Sequence, residues 1–145
     1  MRLWHKDLIP YLPKKQLIAQ WRECCAIASN LANKGTPNHL LVNKILNYPK
    51  NHFCTYRWLI VKETISRGYK ITPNSMSKFD SNFEVFSNGL WEHYKIIKLD
   101  DLFAEWHNER YLKQCLYNLQ EKYDCGGISE DEWKLIQDNF DEYLD

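Results

Sequence analysis

The sequence predicts an all-α protein, a compact helical bundle that forms one domain over residues 1–145 and has an irregular N-terminal lead-in. In most segments the apolar residues recur every three or four positions, as they do along one face of a helix. Cap residues, prolines and glycines bracket these segments. Hydrophobic residues make up 44% of the chain, with only five Gly and five Pro, which is typical of a packed globular protein. No repeat or linker divides the chain, so one core is expected.

The clearest element is a helix over Lys14–Lys34. Pro13 precedes it at a position where a missing N–H costs nothing, and Gly35 follows where a left-handed residue closes a helix. One apolar stripe predicts the face that packs on the core. This stripe contains Leu17, Trp21, Cys24, Cys25, Ala28 and Leu31. The other side of the helix carries Gln16, Ala19, Gln20, Glu23 and Ala26.

Two shorter helices are predicted in the rest of the first half. Residues 1–13 contain two prolines and indicate a lead-in that runs over the surface near the first helix. Thr36-Pro37 is a helix start signal, and apolar residues follow it at helical spacing until Pro49. A third helix is predicted over residues 51–67, because Gly68 supplies a left-handed stop.

The middle of the chain has the weakest pattern. Residues 69–79 have the composition of a loop, and residues 80–99 contain only one turn of apolar residues at helical spacing, around 83–86. Asn88-Gly89 predicts a turn, and residues 94–99 are compatible with extended chain. We therefore predict a loop over residues 69–79 and assign no element over residues 80–99.

Three more helices are predicted towards the C-terminus. Asp100 or Asp101 caps a short one. Its apolar residues are Leu102, Phe103 and Trp106. A longer helix runs through residues 111–123. Ser129 and Glu132 form a capping box that opens the last helix. The residues predicted to face inward from that helix are Trp133, Leu135, Ile136, Phe140 and Tyr143.

Composition and spacing exclude several classes of protein and site. No apolar run approaches the roughly 20 residues that span a bilayer, and charges interrupt the N-terminus, so we expect a cytoplasmic protein outside the membrane. The five cysteines are odd in number and form no C-x-x-C pair, which predicts reduced, buried thiols. The five histidines lack metal-binding spacing, and no metal site is expected. No glycine-rich phosphate loop is present, and no Ser or Cys stands in a His-activated arrangement.

Charge is distributed unevenly along a chain whose net charge is zero. Residues 1–78 hold thirteen Lys or Arg against three acids, whereas residues 79–145 hold six against sixteen. The basic first half fits a face that follows the phosphates of a nucleic acid. The same pattern fits two halves that attract each other within the fold, and composition does not separate these alternatives.

Glu23 is the one suggestive carboxylate of the first helix. Ala19 and Ala26 lie about one turn to either side, so a large ligand can approach it closely, and Arg22 stands next to it. An ordinary solvated helix face gives the same pattern. His5 is near the N-terminal amine and is expected at the surface. The six Trp are expected mostly in the core, and an exposed one would be a candidate to stack on a nucleic-acid base.

One run in the first helix resembles a known family. The residues are Gln16–Glu23, QLIAQWRE, together with the charged lead-in and the later run Ser66–Ile71, SRGYKI. They resemble the pyrimidine-dimer DNA glycosylases that also act as AP lyases. The opening MRLWHKDLIPYLP and the stretch LVNK at 41–44 are similar to the bacterial branch of this family. The likeness covers the first half of the chain and, less closely, residues 108–122.

The resemblance implies a DNA repair enzyme that removes dimerised pyrimidines from ultraviolet-damaged duplex DNA and then nicks the strand, without a cofactor and as a monomer. The nucleophile would be the α-amine of Met1, and Glu23 would be the acid/base carboxylate. The DNA backbone would be held by Arg2 and Arg22. Other residues expected to contact DNA are Gln16, Lys14 and Lys15.

The chemistry fits an N-terminal amine. An α-amine has an ordinary pKa of about 7.7 to 8.0, so an appreciable fraction is a neutral nucleophile at neutral pH. Attack at the sugar C1′ displaces the base and leaves a Schiff base, and a nearby carboxylate moves the protons for strand cleavage. The duplex must be bent or a nucleotide turned out, and aromatic side chains of the first half are expected to fill the gap.

The chain departs from the family pattern at some positions, and alternatives stay open. Arg2 is too large for removal of the initiator Met, so the nucleophilic amine belongs to Met1 itself. Gln16 stands where a family member carries His, which leaves it a hydrogen-bonding role. Ala26 replaces an Arg on the same face. A helical DNA-binding or protein-interaction module without catalysis is one alternative, and a scaffold whose charged halves pair internally is another.

Overall fold

The structure, a computed structural model, describes residues 1–144. Within that range the chain forms five α-helices and five short 3₁₀ helices, with no strand. The α-helices are α1 (Lys14–Lys34), α2 (Asn51–Ser66), α3 (Pro73–Ser87), α4 (Glu109–Asp124) and α5 (Glu130–Phe140). The 3₁₀ helices are Lys6–Tyr11, Asn43–Asn47, Trp91–Tyr94, Leu99–Asp101 and Asp141–Tyr143. The predicted all-α class is confirmed.

Helix α1 has the predicted bounds and organises the core. Gly35 closes it at a φ of 71°, and its N–H donates to the Leu31 carbonyl oxygen at 3.0 Å. The predicted apolar stripe is buried except for Cys25, which is half-buried, and Ile27 joins it. Gln20 was predicted on the other side of the helix but is fully buried, because the N-terminal segment covers it.

Helix α3 begins inside the stretch predicted as a loop over residues 69–79. Thr72 Oγ1 accepts a hydrogen bond from Ser75 N at 3.2 Å, and Pro73 occupies the first turn. The helix then presents Phe79 and Phe83, one turn apart, to the core. The Phe79 ring lies 5.7 Å from the ring of Trp21 in α1. The loop prediction is therefore wrong because polar residues in the first turn hid the apolar period.

The helix predicted over residues 36–48 is also wrong. Only the 3₁₀ helix Asn43–Asn47 forms there, after a turn. The side chain of Asn43 accepts hydrogen bonds from the His39 backbone N–H at 3.1 Å and from Thr36 Oγ1 at 3.3 Å. Such side-chain bonds compete with the helical hydrogen-bond ladder. As a result Val42 is buried while Leu40 and Leu41 are exposed.

The short helix predicted from Asp100 or Asp101 through Trp106 is replaced by the 3₁₀ helix Leu99–Asp101 and turns. Phe103 adopts a positive φ of 49°, which breaks any helix at that point. Its ring is fully buried and lies 4.9 Å from the ring of Trp106. Burial of these apolar residues was correctly expected, but tertiary packing and not helix formation achieves it.

Helices α4 and α5 agree with the sequence. Asn108 Oδ1 caps α4 by accepting from Tyr111 N at 2.9 Å. The capping box of Ser129 and Glu132 is present at the start of α5. Of the residues predicted to face inward from α5, Leu135 is 48% exposed, which corrects that prediction. The buried ones are Trp133, Ile136 and Phe140.

The N-terminal lead-in is buried, contrary to the prediction that it runs over the surface. Its buried residues are Leu3, Trp4, His5, Lys6, Leu8, Ile9, Leu12 and Pro13. Lys6 Nζ donates to the Leu102 carbonyl oxygen at 2.7 Å, and Lys6 N donates to His107 Nδ1 at 3.0 Å. His5 was expected at the surface but is only 3% exposed. Residues 3–12 are thus fixed between α1 and the 100–107 segment.

One hydrophobic cluster includes residues of all five α-helices and of the N-terminal segment. All five cysteines are free. Cys24, Cys54 and Cys115 are buried as predicted, whereas Cys125 is exposed. Over residues 1–144, none of the helices has the combined length and apolar character needed to cross a membrane.

The rings of His5 and His107 stack at a centroid distance of 5.2 Å inside the protein. Burial lowers the pKa of His107 well below its ordinary value of 6.5, and the neighbouring His5, Lys6 and Lys44 lower it further. Burial also lowers the pKa of His5, although Asp7 partly offsets this. The unfolded chain therefore binds protons that the folded chain excludes once the pH falls below about 6.5.

We predict that the free energy of unfolding falls as the pH is lowered from about 7 to about 5, above the range in which ordinary carboxylates titrate. His107→Gln should reduce this slope, because the unfolded variant no longer takes up that proton. The matched control is His93→Gln, at a partly exposed ring. Chemical denaturation at several pH values measures the slope. If the free energy of unfolding changed equally with pH in the wild type, His107→Gln and His93→Gln, the effect would not come from His107.

Candidate active site

The start of the chain meets α1 at Glu23. The backbone N–H of Arg2 donates to Glu23 Oε2 at 3.4 Å, and the carboxylate is half-buried. Three covalent bonds separate this nitrogen from the α-amine of Met1, so that amine lies within about 8 Å of the same oxygen. Met1 itself is 42% exposed and lines an open depression.

Gln20 joins the N-terminal backbone to this carboxylate. Its Oε1 accepts from the Trp4 backbone N–H at 2.8 Å, and its Nε2 donates to the Arg2 carbonyl oxygen at 2.9 Å. The same Nε2 donates to Glu23 Oε2 at 3.1 Å. One fully buried amide thus binds two backbone groups and the carboxylate at once.

Two tyrosines complete the attachment of the N-terminal segment. The Tyr56 hydroxyl of α2 donates to the Trp4 carbonyl oxygen, and the Tyr111 hydroxyl of α4 donates to the Leu3 carbonyl oxygen, both at 2.6 Å. Burial raises the pKa of Tyr56 well above its ordinary value, so this hydroxyl keeps its proton and remains a donor. Three consecutive carbonyl groups, at residues 2, 3 and 4, each receive a donor from a different helix.

Glu23 lies between two open depressions that together form what we call the Glu23 groove. The larger, of about 410 Å³, is lined by Trp4, Lys15, Gln16, Ile18, Ala19, Arg22, Glu23 and Lys122. The smaller, of about 260 Å³, is lined by Met1, Arg2, Trp4, Glu23, Leu41, Asn118 and Lys122. Glu23 is the one carboxylate among these lining residues. Four cationic side chains and the N-terminal amine surround it, so the groove is positively charged.

The groove brings together most of the residues that the sequence singled out. Arg2, Lys15, Gln16 and Arg22 line it with Met1 and Glu23. Gln16 Oε1 is buried and has no hydrogen-bond partner within the protein. The Arg2 guanidinium lies 5.3 Å from the Trp4 ring centroid.

Lys14 lies apart from the Glu23 groove. Its ammonium is 4.9 Å from the Tyr69 ring centroid, and its backbone N–H donates to Glu132 Oε2 at 2.8 Å. It lines a separate depression of about 360 Å³, to which Lys15 and Gln16 also belong. Lys14 is therefore positioned to contact only a ligand that extends beyond the groove.

Sequence reasoning missed the contribution of α4. Tyr111, Asn118 and Lys122 stand on one face of this helix, at spacings of seven and four residues. Lys122 lines both depressions and Asn118 lines the smaller one. The spacing was visible in the sequence, but only the packing of α4 against the N-terminal segment shows which face meets Glu23.

The described part of the chain, residues 1–144, contains no group of three His, Cys, Asp or Glu side chains that could hold a metal ion. Glu23 in particular is surrounded by cations and amides, and such neighbours favour a bound anion over a bound cation.

A family model described as pyrimidine dimer DNA glycosylase matches residues 1–77. The chain belongs to this family. Membership makes it a DNA repair glycosylase, and its substrate is DNA. The matched region contains Met1, Glu23 and Gln20, and it ends before α4. No curated protein and no solved structure matches the chain.

We predict that Gln20→Met both destabilises this glycosylase and slows it. The substitution keeps the side-chain volume but leaves the Trp4 N–H and the Arg2 carbonyl without partners, at a cost of about 2–4 kcal/mol. Urea denaturation and single-turnover cleavage measure the two effects. Gln137→Met, at an exposed position of α5, is the control. A Gln20→Met variant with unchanged stability and rate would show that the amide does not hold the segment.

Proposed function

We propose that this protein excises pyrimidine dimers from ultraviolet-damaged duplex DNA and then nicks the strand, with the Met1 α-amine as nucleophile and Glu23 as acid/base group. The main support is the contact between the Arg2 N–H and Glu23 Oε2, because it holds the only α-amine of the chain beside a carboxylate. The cations of the Glu23 groove supply the attraction for a polyanion.

In the first step the neutral amine attacks C1′ of the damaged nucleotide. A bond forms between the amine nitrogen and C1′, the glycosidic bond breaks, and the displaced base, which stays attached to its dimer partner, takes up a proton. The Glu23 carboxylate stabilises the positive charge that develops on the sugar and accepts the proton that the amine loses. The half-buried position of Glu23 strengthens this interaction, because less water screens it.

In the second step the sugar ring opens, O4′ gains a proton, and C1′ becomes a Schiff base with the Met1 nitrogen. Removal of a C2′ proton then breaks the bond between C3′ and its phosphate oxygen, which cuts the strand. Water finally adds to the Schiff base and releases the amine. Each step moves protons and electron pairs only, so one carboxylate that accepts and returns protons is sufficient.

The DNA backbone would lie along the cationic wall of the groove. Arg22 and Lys15 would contact phosphates at the larger depression and Arg2 at the smaller one, while Lys122 of α4 would contact them at either. Gln16 lines the same groove and would contact the sugar or base through its side-chain amide. Lys14 would reach only phosphates beyond the groove. One copy of the chain supplies all these groups, so we propose that it acts as a monomer.

We predict that Glu23→Gln lowers cleavage of a duplex with a defined thymine dimer by at least about 100-fold, as expected for the loss of a general acid/base group. Binding to the same duplex should persist, because the cations are untouched and one negative charge is removed. Glu84→Gln, at an exposed site of α3, is the control. A gel-based cleavage assay and a binding titration separate the two effects.

Two results would contradict the proposal. Glu23→Gln with the wild-type cleavage rate would remove the carboxylate from the mechanism. A wild-type protein that binds irradiated duplex in a salt-dependent way but never cleaves it would identify a DNA-binding module without catalysis.

A further inference from the structure

Two adjacent leucines stand exposed beside the Glu23 groove. We call residues 36–42, between α1 and the 3₁₀ helix Asn43–Asn47, the wedge loop. Leu40 is 88% exposed, the largest value among the large hydrophobic residues that are exposed, and Leu41 is 50% exposed. Leu41 lines the same depression as Met1, Arg2 and Glu23. Leu40 is the chain neighbour of this lining residue, so the two exposed leucines stand together at the edge of the depression.

The wedge loop is held in one conformation by its own hydrogen bonds. The Val42 N–H donates to the His39 carbonyl oxygen at 3.1 Å, and Asn30 Nδ2 of α1 donates to the Pro37 carbonyl oxygen at 3.1 Å. Val42 is fully buried and Pro37 is buried, so both ends are anchored in the core. The two leucines are presented by a fixed backbone, which lowers the entropy lost when they enter a partner.

The charge around the wedge loop suits a polyanion. No Asp or Glu occurs between residues 24 and 62. The exposed cations Lys34 and Lys44 flank the loop on its two sides. The loop and its sequence neighbours therefore place no carboxylate of their own against an approaching phosphate backbone.

The aromatic side chains of the first half, expected to fill a gap in the duplex, are not available for this role. Trp4, Trp21, Phe53 and Tyr56 are all buried in the core. Trp58 is 39% exposed but does not line the Glu23 groove. Among the residues that line the groove, the exposed large apolar ones are Met1 and Leu41, and Leu40 stands next to Leu41.

We propose that Leu40 and Leu41 form a wedge that enters the base stack of duplex DNA next to the damaged nucleotide. Apolar side chains of this kind separate base steps and kink the duplex in other DNA-binding proteins, and unstacking is easiest at a damaged position. Insertion of the two leucines would open the base stack, so that the Met1 amine could reach C1′ of the damaged nucleotide. This inference rests on the proposed function, since it requires DNA in the Glu23 groove.

The test uses a duplex with a tetrahydrofuran abasic analogue, which cannot be cleaved, and the fluorescent base 2-aminopurine beside it. Wild-type protein should raise the fluorescence by unstacking the probe. The double variant Leu40→Ala/Leu41→Ala should lose most of this rise and bind about 10-fold more weakly. Leu135→Ala removes a leucine of similar exposure from α5 and should behave as wild type. Leu40→Met, which keeps an apolar side chain, should retain the rise.

Cleavage of a single-stranded abasic oligonucleotide separates this proposal from the proposed function. A single strand has no duplex stack to open, so the double variant should lose much less activity on it than on duplex. A double variant that raises the fluorescence as wild type does overturns the wedge and leaves the catalytic proposal standing. A wild-type protein that cleaves neither the duplex nor the single strand overturns the catalytic proposal. In that case a rise in fluorescence that depends on the two leucines would still support the wedge.

Discussion

A buried side-chain amide needs a partner for each of its polar atoms, and in this protein Gln20 finds them in the backbone of residues 2–4 and in Glu23. The N-terminal segment has no regular secondary structure there, so its peptide groups need donors and acceptors from elsewhere. Gln20, Tyr56 and Tyr111 supply them from three different helices. The position of the first residues is therefore set by the packing of the core.

This attachment also explains why charge collects where it does. Holding the start of the chain against α1 brings Arg2 to the same groove as Arg22 and Lys15, and α4 adds Lys122 from the acidic half of the sequence. Among residues 1–144, one side-chain ion pair, Arg57 with Asp80 at 3.2 Å, joins the basic half to the acidic half. Internal pairing of the two halves is thus slight, and the cations of the groove stay free for a phosphate backbone.

The elements that sequence reasoning predicted well are those with local start and stop signals. Helices α1, α2, α4 and α5 follow cap residues, prolines or glycines close in sequence. The errors occur where distant contacts decide the structure. The lead-in is buried because Lys6 finds carbonyl groups near residue 102, and residues 36–48 leave the helical path because Asn43 bonds back to His39. Neither of these contacts can be recognised from the spacing of apolar residues or from helix start and stop signals.

The residues of the site divide in the same way, into those with a local sequence signal and those whose roles depend on distant contacts. Met1, Arg2, Arg22 and Glu23 followed from a resemblance that lies within one stretch of chain. Gln20 and Lys122 could not be assigned, since their roles depend on what the N-terminal segment and α4 cover. Gln20 stood on the predicted polar side of α1, where nothing in the pattern distinguished it from a solvent-facing residue.

In the proposed mechanism the α-amine of Met1, held beside Glu23, attacks the sugar. Reductive trapping tests this role: borohydride is added during reaction with an abasic duplex, and the DNA-linked peptide is located by mass spectrometry. We expect the adduct on the α-nitrogen of Met1, reduced in yield by prior acetylation of the amine. An adduct on Lys15 or Lys122, or full activity with no adduct and a blocked N-terminus, would contradict the account.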